Sequence, residues 1–317
     1  MTYEIPYELI ERVAPAVRAN VRRTPLLHSA WLSKVTGGEV WLKCENLQIT
    51  HSFKVRGPFA KFADVKGIKR VVAASAGNHG QGLAYAARAH GVPCTVIVPR
   101  TIPAVKEEKI REFGATVVKA PVDGYDDTEE FAKTQVGDAT WVSPFDDPHI
   151  MAGNGGTTAL EIIEDLRGID TFVIPCGGGG VSIGVGAVAR ALCPGAKVIG
   201  VNSEASPGMW LSRRDGRAHL KVESKETIAE GIEGGVAETT YRLGLKYIDD
   251  VVCVSEAAIR RSVVDVLKHE GMLIEGSAAA AVAAVTERKA AGGKTVVILS
   301  GGNIDLSRLK ELLATSG

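Results

Sequence analysis

The chain has 317 residues, 45% of them hydrophobic and 5% aromatic, enough apolar material to bury a large core shared between two lobes. Its 37 basic and 37 acidic residues cancel, and no cluster of Lys and Arg stands out, which excludes the electrostatic footprint of a nucleic-acid binder. No apolar run is long enough to span a bilayer, the N-terminus carries early acidic residues and lacks an apolar signal core, and the five cysteines are widely spaced without any CxxC, so a cytoplasmic protein with reduced thiols and no structural zinc is expected.

In chain order, "EVWLKCENL" reads as a strand that runs into "HSFKVRG", His51 to Gly57, where Lys54 stands between an aromatic residue and Arg56. A solvated surface charge is the ordinary explanation of a lysine, and the rest of the chain decides between that and a chemical role. Strand-like runs then alternate with helical patterns: "RVVAAS", "QGLAYAARAHG", "CTVIVP", "AVKEEKIREFG", "ATVVKA", "DTEEFAKTQVG" and "TWVSP". Pro, Asp and Gly interrupt both periods in "SPFDDPHIMAGNGG", the expected boundary between lobes. A second series follows with "TTALEIIEDLRG", "TFVIPCGGGG", "VSIGVGAVARALCPG", "KVIGVNS", "AAIRRSVVDVLKHEG", "GSAAAAVAAVTERKAAGG" and "TVVILSGGN". This alternation predicts an α/β protein of parallel strands joined by helical crossovers. The chain ends soon after "LSGGNIDLSRLKELLATSG", and no appended regulatory domain is expected.

Three glycine-bearing turns, "SAGNHGQG", "CGGGGVSIG" and "SGGN", follow predicted strands. The carboxyl edge of a parallel sheet is where helix N-termini and loop amides converge on ligands, so the three turns predict one site. In "CGGGG", Cys176 to Gly180, successive N–H groups can point inward without obstruction by Cβ and form a nest for a phosphate; close strand–helix packing explains one or two of these glycines but not four. Cys176 is the one cysteine beside such a run. No GK[ST] follows, and a nominal GxGxxA at Gly184 to Ala189 falls inside the helix, where it reads as packing. A nucleotide-hydrolysing loop and a dinucleotide are both disfavoured. A smaller phosphate-bearing ligand with an aldehyde accounts for Lys54 as well, because a lysine amine condenses with an aldehyde and afterwards serves as a base. Pyridoxal 5'-phosphate meets both demands.

The four motifs "SFKVRG", "SAGNHGQG", "CGGGG" and "LSGGN", in this order and at these separations, resemble the threonine/serine dehydratase branch of the fold type II (tryptophan synthase β) family of pyridoxal phosphate enzymes, from "RTPLLHS" to "GGNID". The resemblance implies a two-lobed α/β fold, each lobe a mostly parallel sheet flanked by helices. Residues 1–50 plus 148–317 are expected as the large cofactor-binding domain and 51–147 as the small domain carrying the substrate carboxylate loop. By position, Lys54 holds the cofactor covalently with Phe53 beside it, and Asn78 bonds the phenolic oxygen of its ring. Ser75, Ala76, Gly77, Asn78 and His79 form the carboxylate loop; Gly177, Gly178, Gly179 and Gly180 with Val181 take the phosphate; Ser300 faces the pyridine nitrogen. His79 alternatively only braces its loop. Ser300 shares a neutral hydrogen bond where an aspartate would keep the ring protonated, which favours loss of a β-substituent over transamination; a turn cap is its plainer role. Glu275 matches an acidic position near the pocket, and a helix N-terminal charge explains it as well.

The implied reaction is dehydration of a β-hydroxy amino acid to a 2-oxo acid and ammonia. Lys54 takes the Cα proton, and L-threonine and L-serine are the expected substrates. A serine racemase-like isomerase and a dehydratase for larger or acidic β-hydroxy amino acids remain alternatives. The methyl of Ala76, where racemases of this family carry a serine hydroxyl, argues against racemisation. A cysteine synthase-like loop would read closer to TSGNTG, and a threonine synthase closer to SFKDR. A non-catalytic phosphosugar binder would keep the glycines but have no use for Lys54. Where relatives read like "TIADGIAV" and "AGQGT", this chain has "TIAEGIEGG" and "AGNGGTT", and both segments are expected to border the pocket. "VNSEASPGM" offers Glu204 without a well-spaced second carboxylate, so no metal is expected. The partners expected are a small amino acid and further copies of the chain, as a homodimer or homotetramer, with no nucleic acid and no membrane.

Overall fold

The computed structural model describes residues 4–314; the outer ends of the expected large domain, 1–3 and 315–317, lie outside them. Its strands are β1 Leu26–His28, β2 Glu39–Lys43, β3 Val71–Ala74, β4 Cys94–Val98, β5 Thr116–Lys119, β6 Thr140–Trp141, β7 Thr171–Pro175, β8 Lys197–Ser203, β9 Asp250–Val254 and β10 Lys294–Ile298. They form a six-stranded sheet in the order β1-β2-β10-β7-β8-β9 and a four-stranded sheet in the order β5-β4-β3-β6. Every pairing is parallel except that of β1 with β2. The α/β class follows from this alternation of strands and helical crossovers.

Strand β7 is buried along its whole length, as expected for "TFVIP" with helices on both faces of a parallel sheet. Each large apolar side chain buried there contributes about 1.5–3 kcal/mol. The helix Gly276–Thr286 is buried on all sides, with Ala278 to Val285 fully inaccessible. Alanines give it high helix propensity and a narrow cross-section, so it packs closely against the large sheet and the neighbouring helix Glu256–Glu270. That neighbour is bounded by its own sequence: the Ser255 hydroxyl accepts from Ala258 N–H, and Gly271 closes it at φ 64°.

The GxGxxA pattern lies within the helix Gly180–Leu192, in agreement with its reading as packing. A methyl group at Gly184 would strike the Met151 carbonyl, and one at Gly186 the Tyr247 carbonyl. These glycines permit close helix packing. Several elements have no counterpart in the sequence reading: the helices Tyr7–Asn20, Gly208–Asp215 and Glu238–Tyr247, and the edge strands β1 and β9. All five cysteines are free.

Candidate active site

Lys54 sits on the single 3-10 turn Phe53–Val55, immediately before the helix Arg56–Asp64. Ser52 caps the turn by accepting from Lys54 N–H, and Phe53 N–H donates to the Ser300 carbonyl at 3.2 Å. The lysine's turn and Ser300, two residues past β10, are therefore locked together, although 246 positions separate Lys54 from Ser300. On the other side, the helix Asn78–Ala89 lies so close that a methyl at Gly82 would come within 2.8 Å of the Lys54 carbonyl carbon.

Behind the turn lies a fully buried ionic network. Arg56 holds both oxygens of Glu45 and both oxygens of Glu161 at 2.8 to 2.9 Å, and Lys43 Nζ donates to Glu161 at 2.6 Å and to the Thr24 carbonyl at 2.7 Å. Two positive and two negative groups balance, which such burial requires. Asn154, only 2% exposed, accepts from Gly57 N–H at 2.7 Å. Of "AGNGGTT", expected to border the pocket, the asparagine props the helix that follows the lysine's turn. The other divergent segment does reach the site, with the Ile232 Cα 2.9 Å from the position a Cβ on Gly177 would take.

The Lys54 amine donates to the Pro144 carbonyl at 2.9 Å and stands 5.3 Å from the centroid of the Phe53 ring. Burial lowers its ammonium to about 8, while the negative charge of Glu275 acts the other way. The lysine is therefore a half-buried amine that loses its proton more readily than usual, and no solvated surface charge.

Around it converge the three glycine-bearing turns. In the first, the Ser75 hydroxyl accepts from Gly77 N–H at 3.2 Å and Gly80 N–H at 3.0 Å. The N–H groups of Ala76, Asn78 and His79 have no partner among the described residues, a helix N-terminus suited to a carboxylate. His79 is 3% exposed and its Nε2 pairs with the Val142 carbonyl at 3.0 Å. Burial and then the charge of Lys54 push its imidazolium down to about 3, so it is a neutral ring tied to its own lobe, which favours the bracing role. In the second turn, Gly179 adopts φ 91°, open to glycine at little cost, at the mouth of the helix Gly180–Leu192. The N–H groups from Gly177 to Val181 have no partner among the described residues, which is the nest a phosphate requires. Phe145 walls this turn: its carbonyl would lie 2.8 Å from a Cβ on Gly180. In the third, Ser300 is 3% exposed and its hydroxyl is buried without a hydrogen-bond partner among the described residues.

Asn78 Nδ2 donates to Glu275 Oε1 at 2.8 Å, and Asn303 Nδ2 donates to Asn78 Oδ1 at 2.8 Å. Burial pushes the Glu275 carboxyl up to about 7, against hydrogen bonds from Asn78 and Asn303 that lower it. Sequence reasoning did not assign Asn303, Pro144, Phe145, Glu45 or Glu161 to the site. Asn303 lies inside a quoted motif; the others carry no local signal.

Two mostly parallel sheets, a half-buried lysine and an amide nest on one rim suit an enzyme built around a phosphorylated aldehyde. The family model for pyridoxal-phosphate dependent enzymes matches residues 17–302, and the chain belongs to that family. It is similar to the L-threonine ammonia-lyase of Thermotoga maritima, at 42% identity over 98% of this chain and 78% of that one. Among solved structures, the processed form of threonine deaminase isoform 2 from Solanum lycopersicum matches with a TM-score of 0.89 at 30% identity, covering 98% of this chain and 93% of that one. The serine racemase of Dictyostelium discoideum matches with a TM-score of 0.87 at 30% identity, covering 95% of this chain and 99% of that one. The fold is the fold type II architecture and the cofactor is pyridoxal phosphate, as the sequence implied. The residues fit that group on two observations: the unpaired amides of the glycine turn suit its phosphate, and the orphaned Ser300 hydroxyl suits a ring nitrogen.

Proposed function

We propose that this protein is an ammonia-lyase that converts L-threonine and L-serine to 2-oxobutyrate and pyruvate with release of ammonia. The observation that carries the reading is the Lys54 amine, held at about 8 by burial beside three loops with unpaired donors. When bound, the cofactor supplies an electron sink that acidifies the substrate Cα–H. Lys54, as a neutral amine, accepts that proton. The amides of Ala76, Asn78 and His79 bind the substrate carboxylate; Gly177 to Val181 hold the phosphate; Asn78 bonds the phenolic oxygen; Phe53 packs beside the lysine; Ser300 gives the ring nitrogen a neutral partner. The β-hydroxyl leaves as water with a proton equivalent to the one Lys54 takes from Cα, and the enamine product then hydrolyses in water to the 2-oxo acid and ammonia.

Ala76 favours elimination over racemisation. It contributes a backbone N–H to the carboxylate loop and no side-chain proton donor, so the face of the substrate opposite Lys54 lacks the acid that inversion requires. The similarity to an L-threonine ammonia-lyase supports the same choice. The two sheets support a large domain of residues 1–50 plus 148–317 and a small domain of 51–147, the site lying between them. Among the described residues no helix is long and apolar enough to cross a membrane. A cytoplasmic homodimer or homotetramer completes the proposal.

The test is release of 2-oxo acid from L-threonine and L-serine by the purified protein supplied with pyridoxal phosphate. Turnover of either supports the reading. Cofactor uptake without turnover of any β-hydroxy amino acid overturns it.

A further inference from the structure

The side-chain amide of Asn78 is gripped on both sides. Its Oδ1 accepts from Asn303 Nδ2 at 2.8 Å, and its Nδ2 donates to Glu275 Oε1 at 2.8 Å. Neither bond survives reversal of the amide. Asn303 gives its other Nδ2 hydrogen to the Thr50 carbonyl at 2.9 Å, so it meets Asn78 as a donor and sets the direction of the Asn78 amide in either protonation state of Glu275. Glu275 is itself seated: its Oε2 accepts from Asn303 N–H at 3.2 Å, and a Cβ on Gly301 would come within 2.7 Å of its Oε1. Glycine at 301 thus lets the carboxylate lie against the backbone that follows Ser300.

The Thr50 carbonyl, which can only accept, therefore forces the orientation of both amides, and a Glu275 oxygen receives the Asn78 N–H at the end of the chain. One donor remains over, the second Nδ2 hydrogen of Asn78. Asn78 opens the helix that rests on the Lys54 backbone through Gly82, so this spare donor belongs to the lysine's own site. A reversed amide would offer an oxygen to the electron-rich phenolic oxygen of the cofactor ring, and the two would repel.

We propose that Glu275 is a positioning residue for the cofactor: with Asn303 and Thr50 it holds the Asn78 amide with its spare N–H available to the phenolic oxygen of pyridoxal phosphate. The inference rests on the cofactor and not on the choice of amino acid.

The test uses the full chain stripped of cofactor and titrated with pyridoxal phosphate alone, following its dissociation constant and visible absorption band. In Glu275→Gln one of the two oxygens that accept from Asn78 Nδ2 and Asn303 N–H becomes an NH2 group, so a donor faces a donor at one of them. Affinity is expected to fall by about tenfold or more and the band to shift. In the Asn78→Ala background, Glu275→Gln is expected to add no more than about a twofold further loss, because the group it acts through is gone. An affinity within about twofold of wild type, or losses that multiply in the double variant, overturns the proposal. If Glu275→Gln fails to melt cooperatively, Asn303→Ala removes the other grip and carries the same cycle with the same expected values. Because no amino acid is added, a wrong choice of substrate leaves these results unchanged, whereas failure of the wild-type protein to take up pyridoxal phosphate overturns both this inference and the functional reading.

Discussion

Gly82 and Lys54 are in backbone contact: a methyl group on Gly82 would lie 2.8 Å from the lysine's carbonyl carbon, its carbonyl oxygen and the next amide nitrogen. A side chain there has only main chain to push against, so it must separate the helix Asn78–Ala89 from the turn that carries the lysine. The loop proposed to receive the carboxylate and the amine proposed to take the proton are thereby set at a fixed separation. Gly82→Ala is expected to cost about 1–3 kcal/mol of stability, as overpacking does, and to lower kcat/KM by about tenfold or more through misplacement. Urea unfolding with steady-state kinetics checks both; wild-type kinetics would show that the contact does not set the geometry.

The network behind the lysine makes a second expectation. Glu161 answers both Lys43 and Arg56, each fully buried. Neutralising it by Glu161→Gln leaves one buried cation without its counter-charge and is expected to destabilise by about 3–5 kcal/mol. A shift of the urea midpoint worth under about 1 kcal/mol would contradict this account of the network.

The pH dependence of cofactor capture follows from the amine. Burial lowers the Lys54 ammonium from 10.5 to about 8, and attack on an aldehyde needs the neutral form. The capture rate of the stripped protein is expected to rise with pH and level above about 8. For stability the sign is that of a depressed folded value: the contribution is full above 10.5 and is lost as pH falls through about 8. Lys54→Met removes that loss and is expected to flatten the pH dependence of melting over this window. Stopped-flow absorbance and thermal melts check the two, and a capture rate flat from about pH 7 to about pH 9 contradicts the assignment.

Ala76 carries the expectation on product stereochemistry. The unmodified protein should give negligible D-serine from L-serine, and Ala76→Ser a measurable gain, because a hydroxyl placed opposite Lys54 can return the proton. Chiral chromatography of the reaction mixture reads both. Fast D-serine formation by the wild type would overturn the preference for elimination.

How much of this is legible in the chain depends on sequence distance. Lys54, the glycine turn and the loop around Asn78 each signal through adjacent residues, and each turn follows a strand whose apolar run is readable. The edge strand β1 is three residues long and largely exposed, so it shows no buried run. The wholly buried charges of Lys43, Arg56, Glu45 and Glu161 look like surface residues in sequence, because the partners that permit their burial lie up to 118 positions away. The same holds for Asn78, whose orientation is set by Glu275 and Asn303, 197 and 225 positions distant. The prop made by Asn154 is hidden for a related reason. Its neighbours in the chain are glycines, which suggest a loop at the pocket, yet they let the turn Ala152–Gly156 pack against Gly57 and Gly184.

The central claim is that Lys54 is the amine that binds the cofactor, and trapping tests it most directly. The purified protein loaded with pyridoxal phosphate is reduced with borohydride, digested, and its peptides are weighed by mass spectrometry. The account predicts loss of the visible band and a single pyridoxyl adduct on the peptide containing Lys54, absent in Lys54→Ala. An adduct on another lysine, or none on a protein that turns over substrate, would contradict it.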